Sequence, residues 1–176
     1  MSDIIKVGDQ FYVLATSALA DDRTRVLKNG DTFAVFDRYG DVQPVGRGEQ
    51  GLYHEGTRFL SRYELRIGQR RPMLLSSTVH PDNYMLSADL TNPDIELDGG
   101  FLIPRGTLHL FRQKFIMDGT CYERLRLLNH GRMKVDLPFY IFFESDFADI
   151  FEVRGMRRQM RGKILSPDIE DSVVTL

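Results

Sequence analysis

Apolar residues recur at every second position along most of this chain and almost nowhere at helical spacing, which points to strands rather than helices. In Arg62–Ile67, Tyr63, Leu65 and Ile67 share one face while Arg62, Glu64 and Arg66 share the other, as in a half-buried strand. Gly68-Gln69 then turns the chain into a second strand through Met73–Ser77, and Tyr84–Leu90, closed by Asn92-Pro93, reads as another. Gln10–Ala15 and Thr32–Asp37 are short strands, with the polar, turn-like run SALADDRTR between Ala15 and Val26. The clearest hairpin joins Thr107–Met117 to Thr120–Asn129 through Asp118-Gly119, the pair that suits a type I′ turn because both central residues need positive φ. Such long arms belong to a large sandwich.

In Lys134–Glu144, Val135, Leu137, Phe139, Ile141 and Phe143 share one face, and Tyr140 and Phe142 lie on the other. A strand apolar on both faces is expected to be central and covered, although Pro138 argues against full ladder pairing. The best helical segment is Glu144–Val153, where Phe147, Ile150 and Phe151 recur at three and four, and it is short. Gly162–Leu165 and Ser172–Leu176 read as strands broken by Ser166-Pro167. The expected architecture is all-β: one large antiparallel β-sandwich over residues 1–176 with one short helix. The sequence stops inside an apolar run, which reads as a domain cut before its last strands and suggests self-association of the isolated chain.

Composition narrows the function classes. A chain of 176 residues suits one domain, and 42% hydrophobic content fills a core of that size. A net charge of −2 argues against nucleic acid and against an anionic membrane surface as partners. With one cysteine, Cys121, no intrachain disulfide can form, which favours a reducing compartment. His54, His80, His109, His130 and Cys121 have no zinc-ligand spacing, so neither a metal nor another cofactor is expected. The start MSDIIKVGDQF lacks the pattern of a signal peptide, and the longest apolar stretch, near Phe139–Phe143, is too short to span a bilayer. These features together read as a cytoplasmic globular domain.

Candidate chemistry is sparse. Asp146, Asp149 and Glu152 could supply the carboxylate pair of a glycosidase, but acids this close in sequence rarely face each other across a sugar bond. The plainer reading is a short helix with acids in its first turn and Arg154, Arg157, Arg158, Arg161 and Lys163 beyond it. Those bases in turn fit one solvated face of a β-hairpin, paired with the acids just upstream, better than a phosphate site. Gly46, Gly48 and Gly51 form G-x-G-x-x-G without the β-α-β setting that a dinucleotide fingerprint needs. His54, Glu55, Thr57 and Arg58 lie in a glycine-flanked loop with no nucleophile beside them, and fit loop hydrogen bonding or contact with a sugar or a neighbouring domain. With no Trp among the aromatics, a dedicated sugar-stacking platform is not supported.

Several blocks together resemble the N-terminal domain of bacterial glycogen debranching enzymes of the amylo-α-1,6-glucosidase type. They are VLKNGDTFAVFDRYGD (Val26–Asp41), GEQGLYHEGTRFLSRYEL (Gly48–Leu65), RRPMLLSS (Arg70–Ser77), DLTNPD (Asp89–Asp94), LHLFR (Leu108–Arg112), YERLRLLN (Tyr122–Asn129) and DFADIFEVRG (Asp146–Gly155). The resemblance implies a β-sandwich of the supersandwich kind ahead of an (α/α)6 helical barrel that carries the acid and base carboxylates of a glycoside hydrolase. It implies that the β-domain packs on that catalytic barrel and can shape the rim where an α-glucan enters. No catalytic residue of the family maps onto this chain. His54, Glu55, Thr57, Arg58, Asp146, Asp149, Glu152 and Arg154 are therefore candidates for substrate-rim or interdomain contact only.

Overall fold

Alternating strands bury one face only where a second layer covers it. In the computed structural model, which describes residues 4–7, 10–13, 24–44, 48–97, 100–160 and 162–176, that second layer is another sheet. The first sheet is an antiparallel meander of β3 (Arg25–Asn29), β4 (Thr32–Phe36), β5 (Gly51–His54) and β6 (Thr57–Leu60). The second has the order β13-β12-β9-β8, built from β8 (Met73–Val79), β9 (Met85–Thr91), β12 (Leu108–Met117) and β13 (Thr120–Asn129). A third ladder pairs β7 (Arg62–Ile67) with β14 (Phe139–Glu144). Three two-residue to four-residue hairpins complete the strands: β1 (Ile4–Val7) with β2 (Gln10–Val13), β10 (Ile95–Glu96) with β11 (Leu102–Ile103), and β15 (Asp168–Glu170) with β16 (Val173–Thr175). The helix α1 covers only Ile150–Val153. The all-β reading therefore holds.

The Asp118-Gly119 turn joins β12 and β13 as expected, with φ of 49° and 75°, and the ladder runs from Leu108↔Asn129 to Met117↔Thr120. Other expectations need correction. β7 and β8 flank the Gly68-Gln69 turn but do not pair, because β8 bonds to β9 and β7 to β14. Lys134–Glu144 is a strand only from Phe139, after Pro138, and it is not covered: Phe139, Tyr140, Ile141 and Phe142 are 38–43% exposed. β14 has one strand neighbour among the described residues and so lies at an edge. Gly162–Leu165 forms no strand, and Arg154, Arg157, Arg158 and Lys163 do not lie on a hairpin. SALADDRTR falls mostly outside the described residues, as do Gly46 and Arg161.

Two apolar clusters fill the space between layers. Leu27, Ala34, Phe36 and Val42 meet Leu86 and Ile116 in one, and Leu65 and Ile67 meet Ala88, Leu90, Leu108 and Leu110 in the other. Charge sits among them. Along β12 the inward positions read Leu108, Leu110, Arg112, Lys114, Ile116, so two cations occupy core sites. The Arg112 guanidinium, 1% exposed, donates to Asp41 at 2.5 Å, to the Tyr39 carbonyl at 2.9 Å and to Glu123. Asp41 also accepts from Arg71 at 2.8 Å and from the Leu65 amide at 3.2 Å, and Arg71 reaches Asp37 as well. Lys114 lies 3.2 Å from Glu123 and 3.9 Å from the centre of the Tyr63 ring, whose hydroxyl donates to the same carboxylate. Three acids thus face three bases in a buried cluster, which keeps each charge from standing alone in a low dielectric.

Burial, followed by the Arg112 charge, pushes the Lys114 ammonium down to about 8, with Glu123 opposing both. The unfolded chain keeps that proton up to about pH 10.5, so between pH 8 and 10.5 the unfolded state binds more protons and stability rises with pH. Burial raises the Cys121 thiol from 9.0 and the Tyr63 hydroxyl from 10.0, and both act in the opposite sense at higher pH. Between pH 8 and 9 the Lys114 gain outweighs the loss at Cys121, whose unfolded thiol is only partly ionised there. Urea unfolding should show a gain of about 1 kcal/mol across that interval, and Lys114→Met should flatten that slope. Layer position makes a second expectation. Leu110→Ala, at a position 1% exposed, should destabilise by about 2–5 kcal/mol. Ile141→Ala, at 43% exposed, should destabilise by about 1 kcal/mol in the same assay.

Candidate interdomain site

The eight residues singled out by sequence meet at one end of the sandwich, where the β5–β6 turn packs on the segment after β14. Glu55 and Gly56 make that turn at positive φ (47° and 80°), and the Glu55 amide donates to the Asp31 carbonyl at 3.2 Å. His54 shares a hydrogen bond with the Thr32 hydroxyl at 2.7 Å across the β4–β5 ladder. Thr57 forms an antiparallel bridge with Asp149, the Arg58 amide donates to the Ala148 carbonyl at 2.8 Å, and the Ile150 amide donates to the Gly56 carbonyl at 2.8 Å. Residues 148–150 thus act as a short extra edge on β6.

Arg58 locks this junction. Its guanidinium grips Asp146 with two bonds, of 3.0 and 2.5 Å, a bidentate geometry that lysine could not supply. Its third nitrogen donates to the carbonyls of Gly48 at 2.5 Å and Gln50 at 3.2 Å. The side chain can lie there only because residue 51 is glycine: a Cβ would stand 2.5 Å from Arg58 Cδ and 2.9 Å from the Leu60 carbonyl oxygen. Burial lowers the affinity of Arg58 for its proton, but the Asp146 hydrogen bond and charge outweigh it, so the guanidinium holds its proton more tightly than usual. Tyr53, beside it, stacks on Phe33 at 4.7 Å and donates to the Glu49 carbonyl at 2.8 Å, and burial raises its hydroxyl.

The acids are equally engaged. The Asp149 carboxylate accepts from the Phe151 amide at 2.8 Å while the Glu152 carboxylate accepts from the Asp149 amide at 3.0 Å, a complete capping box for α1. Arg158 reaches Glu152 at 3.6 Å, and the Arg154 amide closes the helix on the Ile150 carbonyl at 3.2 Å. What this arrangement does chemically is fix backbone.

The sequence pattern places Phe147 and Phe151 on the apolar face of a helix and gives Phe59 no role, and the structure uses all three rings differently. Phe147 holds φ of 48°, a left-handed conformation that a bulky residue seldom adopts, and its ring meets Phe59 edge-on at 5.8 Å. Phe59 is 42% exposed and Phe151 57% exposed, so the end of the sandwich presents rings to its surroundings. No local pattern announces the exposure of Phe59, which sits on the outward parity of an otherwise ordinary strand. Beneath α1 a cleft of about 760 Å³ runs over the outer face of the first sheet, lined by Val26, Phe33, Val35, Tyr53, Ile150 and Arg154. No group of three or more His, Cys, Asp or Glu able to hold a metal occurs among the described residues, and no described helix is long and apolar enough to cross a membrane.

The elements at this end define an antiparallel all-β domain whose loops are braced by ion pairs and a helix cap. Residues 27–176 match the family described as the N-terminal domain of (some) glycogen debranching enzymes, and the chain belongs to that family. No curated protein matches the chain, and no solved structure does.

The brace predicts a graded response to mutation. Asp146→Ala, which strips Arg58 of its carboxylate, should destabilise by about 2 kcal/mol, and Asp149→Ala by about 1 kcal/mol through the lost cap. Arg154→Ala should stay within about 0.5 kcal/mol. Chemical denaturation monitored by circular dichroism gives all three values.

Proposed function

We propose that this chain is the non-catalytic N-terminal β-domain of a cytoplasmic glycogen debranching-type glucosidase, and that the β5–β6/α1 end is the surface it offers to the catalytic helical barrel. Family membership carries the reading. The shape of the site supports it. His54, Thr57, Arg58, Asp146, Asp149 and Glu152 spend their polar groups on holding loops, while Glu55, Arg154 and the rings of Phe59 and Phe151 stay available outside. A rigid platform with exposed rings suits a partner domain better than it suits bond cleavage, which needs two carboxylates opposed about 5–9.5 Å apart across a sugar. The same loops, set beside a barrel mouth, would form part of the rim that an α-glucan passes.

Two measurements test this. The purified chain should release no glucose from limit dextrin, and activity abolished by Asp146→Asn would overturn the non-catalytic assignment. Supplied in trans to the helical-barrel domain of a glycogen debranching enzyme, the chain should bind in calorimetry, and Phe59→Asp with Phe151→Asp should weaken binding at least tenfold. Binding that ignores the double substitution would move the contact elsewhere, and no binding by the unaltered chain would count against the bracing role.

A further inference from the structure

Two parts of the molecule carry backbone edges with no strand partner among the described residues. β13 is the last strand of its sheet, with one ladder to β12 and a free edge on the other side. Its inward residues Leu125 and Leu127 are 38% and 45% exposed, and its outward neighbours Arg124 and Arg126 are exposed without an ion pair among the described residues. The β15–β16 hairpin pairs only with itself, and every residue in both strands is exposed. A two-stranded hairpin alone is marginal in water and gains its stability by joining a larger sheet.

The two parts match. From the register Asp168↔Thr175, Ile169↔Val174, Glu170↔Val173, one face of the hairpin carries Ile169, Val174 and Leu176 and the other carries Asp168 and Glu170 beside Thr175 and Val173. β13 presents the sequence Arg124-Leu125-Arg126 and β15 presents Asp168-Ile169-Glu170. Laid antiparallel with Ile169 opposite Leu125, Asp168 falls opposite Arg126 and Glu170 opposite Arg124. Both acids then meet both arginines on the outer face, and the apolar residues meet on the inner face, where Val174 and Leu176 extend the cover toward the open core. Opposite charges directly across a strand pair stabilise it, and like charges do the reverse. A shift of one residue would turn the acids inward, so the match defines its own register.

We infer that the β15–β16 hairpin of one chain adds to the free edge of β13 in a second copy of the same chain, with β15 pairing antiparallel to β13. Among the described residues of its own chain the hairpin bonds to no other strand, and Leu176 lies instead beside Asp146 and Phe147 at a small cleft. Exchange between two copies is reciprocal: each gives a hairpin and receives one, which closes the pair as a two-fold dimer. Acceptance of an extended segment by a free sheet edge is a common mode of recognition, with backbone bonds giving affinity and alternate side chains giving specificity. The inference does not rest on the debranching reading: it concerns the β13 edge and the β15–β16 hairpin, whereas that reading concerns the β5–β6/α1 junction, beside which Leu176 lies.

A charge swap tests it on the whole chain. By sedimentation velocity the unaltered protein should dimerise. The double variant Arg124→Glu/Arg126→Glu and the double variant Asp168→Lys/Glu170→Lys should each raise the dimer Kd at least tenfold. Mixed in equal amounts they should form a dimer again, since the reversed edge of one now faces the reversed hairpin of the other. That restoration also shows that both variants are folded. A monomer for the unaltered chain at high concentration, a dimer indifferent to both variants, or a failure of the mixture to reassociate would each overturn the inference.

Discussion

The contact between Asp41 and Arg112 sets the spacing of the two layers. Asp41 follows β4, and through its one carboxylate it binds Arg112 of β12, Arg71 ahead of β8, and the backbone of Leu65 in β7. Elements from every layer therefore converge on a group that is 1% exposed. Removing charges from water offsets most of what their attraction returns, so a buried network of this kind contributes geometry more than net stability. Hydrophobic clusters on either side tolerate sliding, but a guanidinium held by two carboxylates and a carbonyl does not. Directional bonds make one arrangement of the sheets better than its neighbours, and the β5–β6 end inherits its position from that choice.

The legibility of the fold follows the range of the forces involved. Alternation located β7, β9, β12 and β13 because side-chain parity is a local property of a strand. The Asp118-Gly119 hairpin was readable for the same reason, since the φ demands of the turn lie in two adjacent residues. Partner choice was not readable. β14 has the composition of a covered strand, yet its neighbours in space come from β7, and nothing within Phe139–Glu144 encodes whether a second sheet lies above it. The charged core had a signal that was passed over. Arg112 and Lys114 stand on the same parity as Leu108, Leu110 and Ile116, and a cation on an inward parity asks for a buried acid elsewhere. Glu123, on the facing position of the same hairpin, was the nearest answer.

For the candidate site, sequence supplied the members and the structure supplied their work. His54, Glu55, Thr57, Arg58, Asp146, Asp149, Glu152 and Arg154 do come together, though two groups of them are far apart along the chain. In two of the resemblance blocks, DLTNPD and DFADIFEVRG, polar side chains stitch loops. Asn92, fully buried, donates to the carbonyls of Pro93 and Pro104 and accepts from the Leu108 amide, so the DLTNPD block anchors the β10–β11 hairpin. Such hooks tolerate little change in side-chain type, because a truncated partner leaves a buried group unsatisfied.

The Arg58–Asp146 pair spans 88 residues, the β7–β14 ladder joins Arg62 to Glu144 across 82, and Arg112 and Asp41 are 71 apart. On a ribosome, which releases chain from the N-terminus at about 5–20 residues per second, each early member waits several seconds for its mate. The meander from β3 to β6 can zip as it emerges, but β7 leaves the tunnel with a bare edge and no strand to fill it. Closure of the sandwich is thus among the last events of its biogenesis, and the nascent chain passes through a stage in which half a core is built and open to whatever else is nearby.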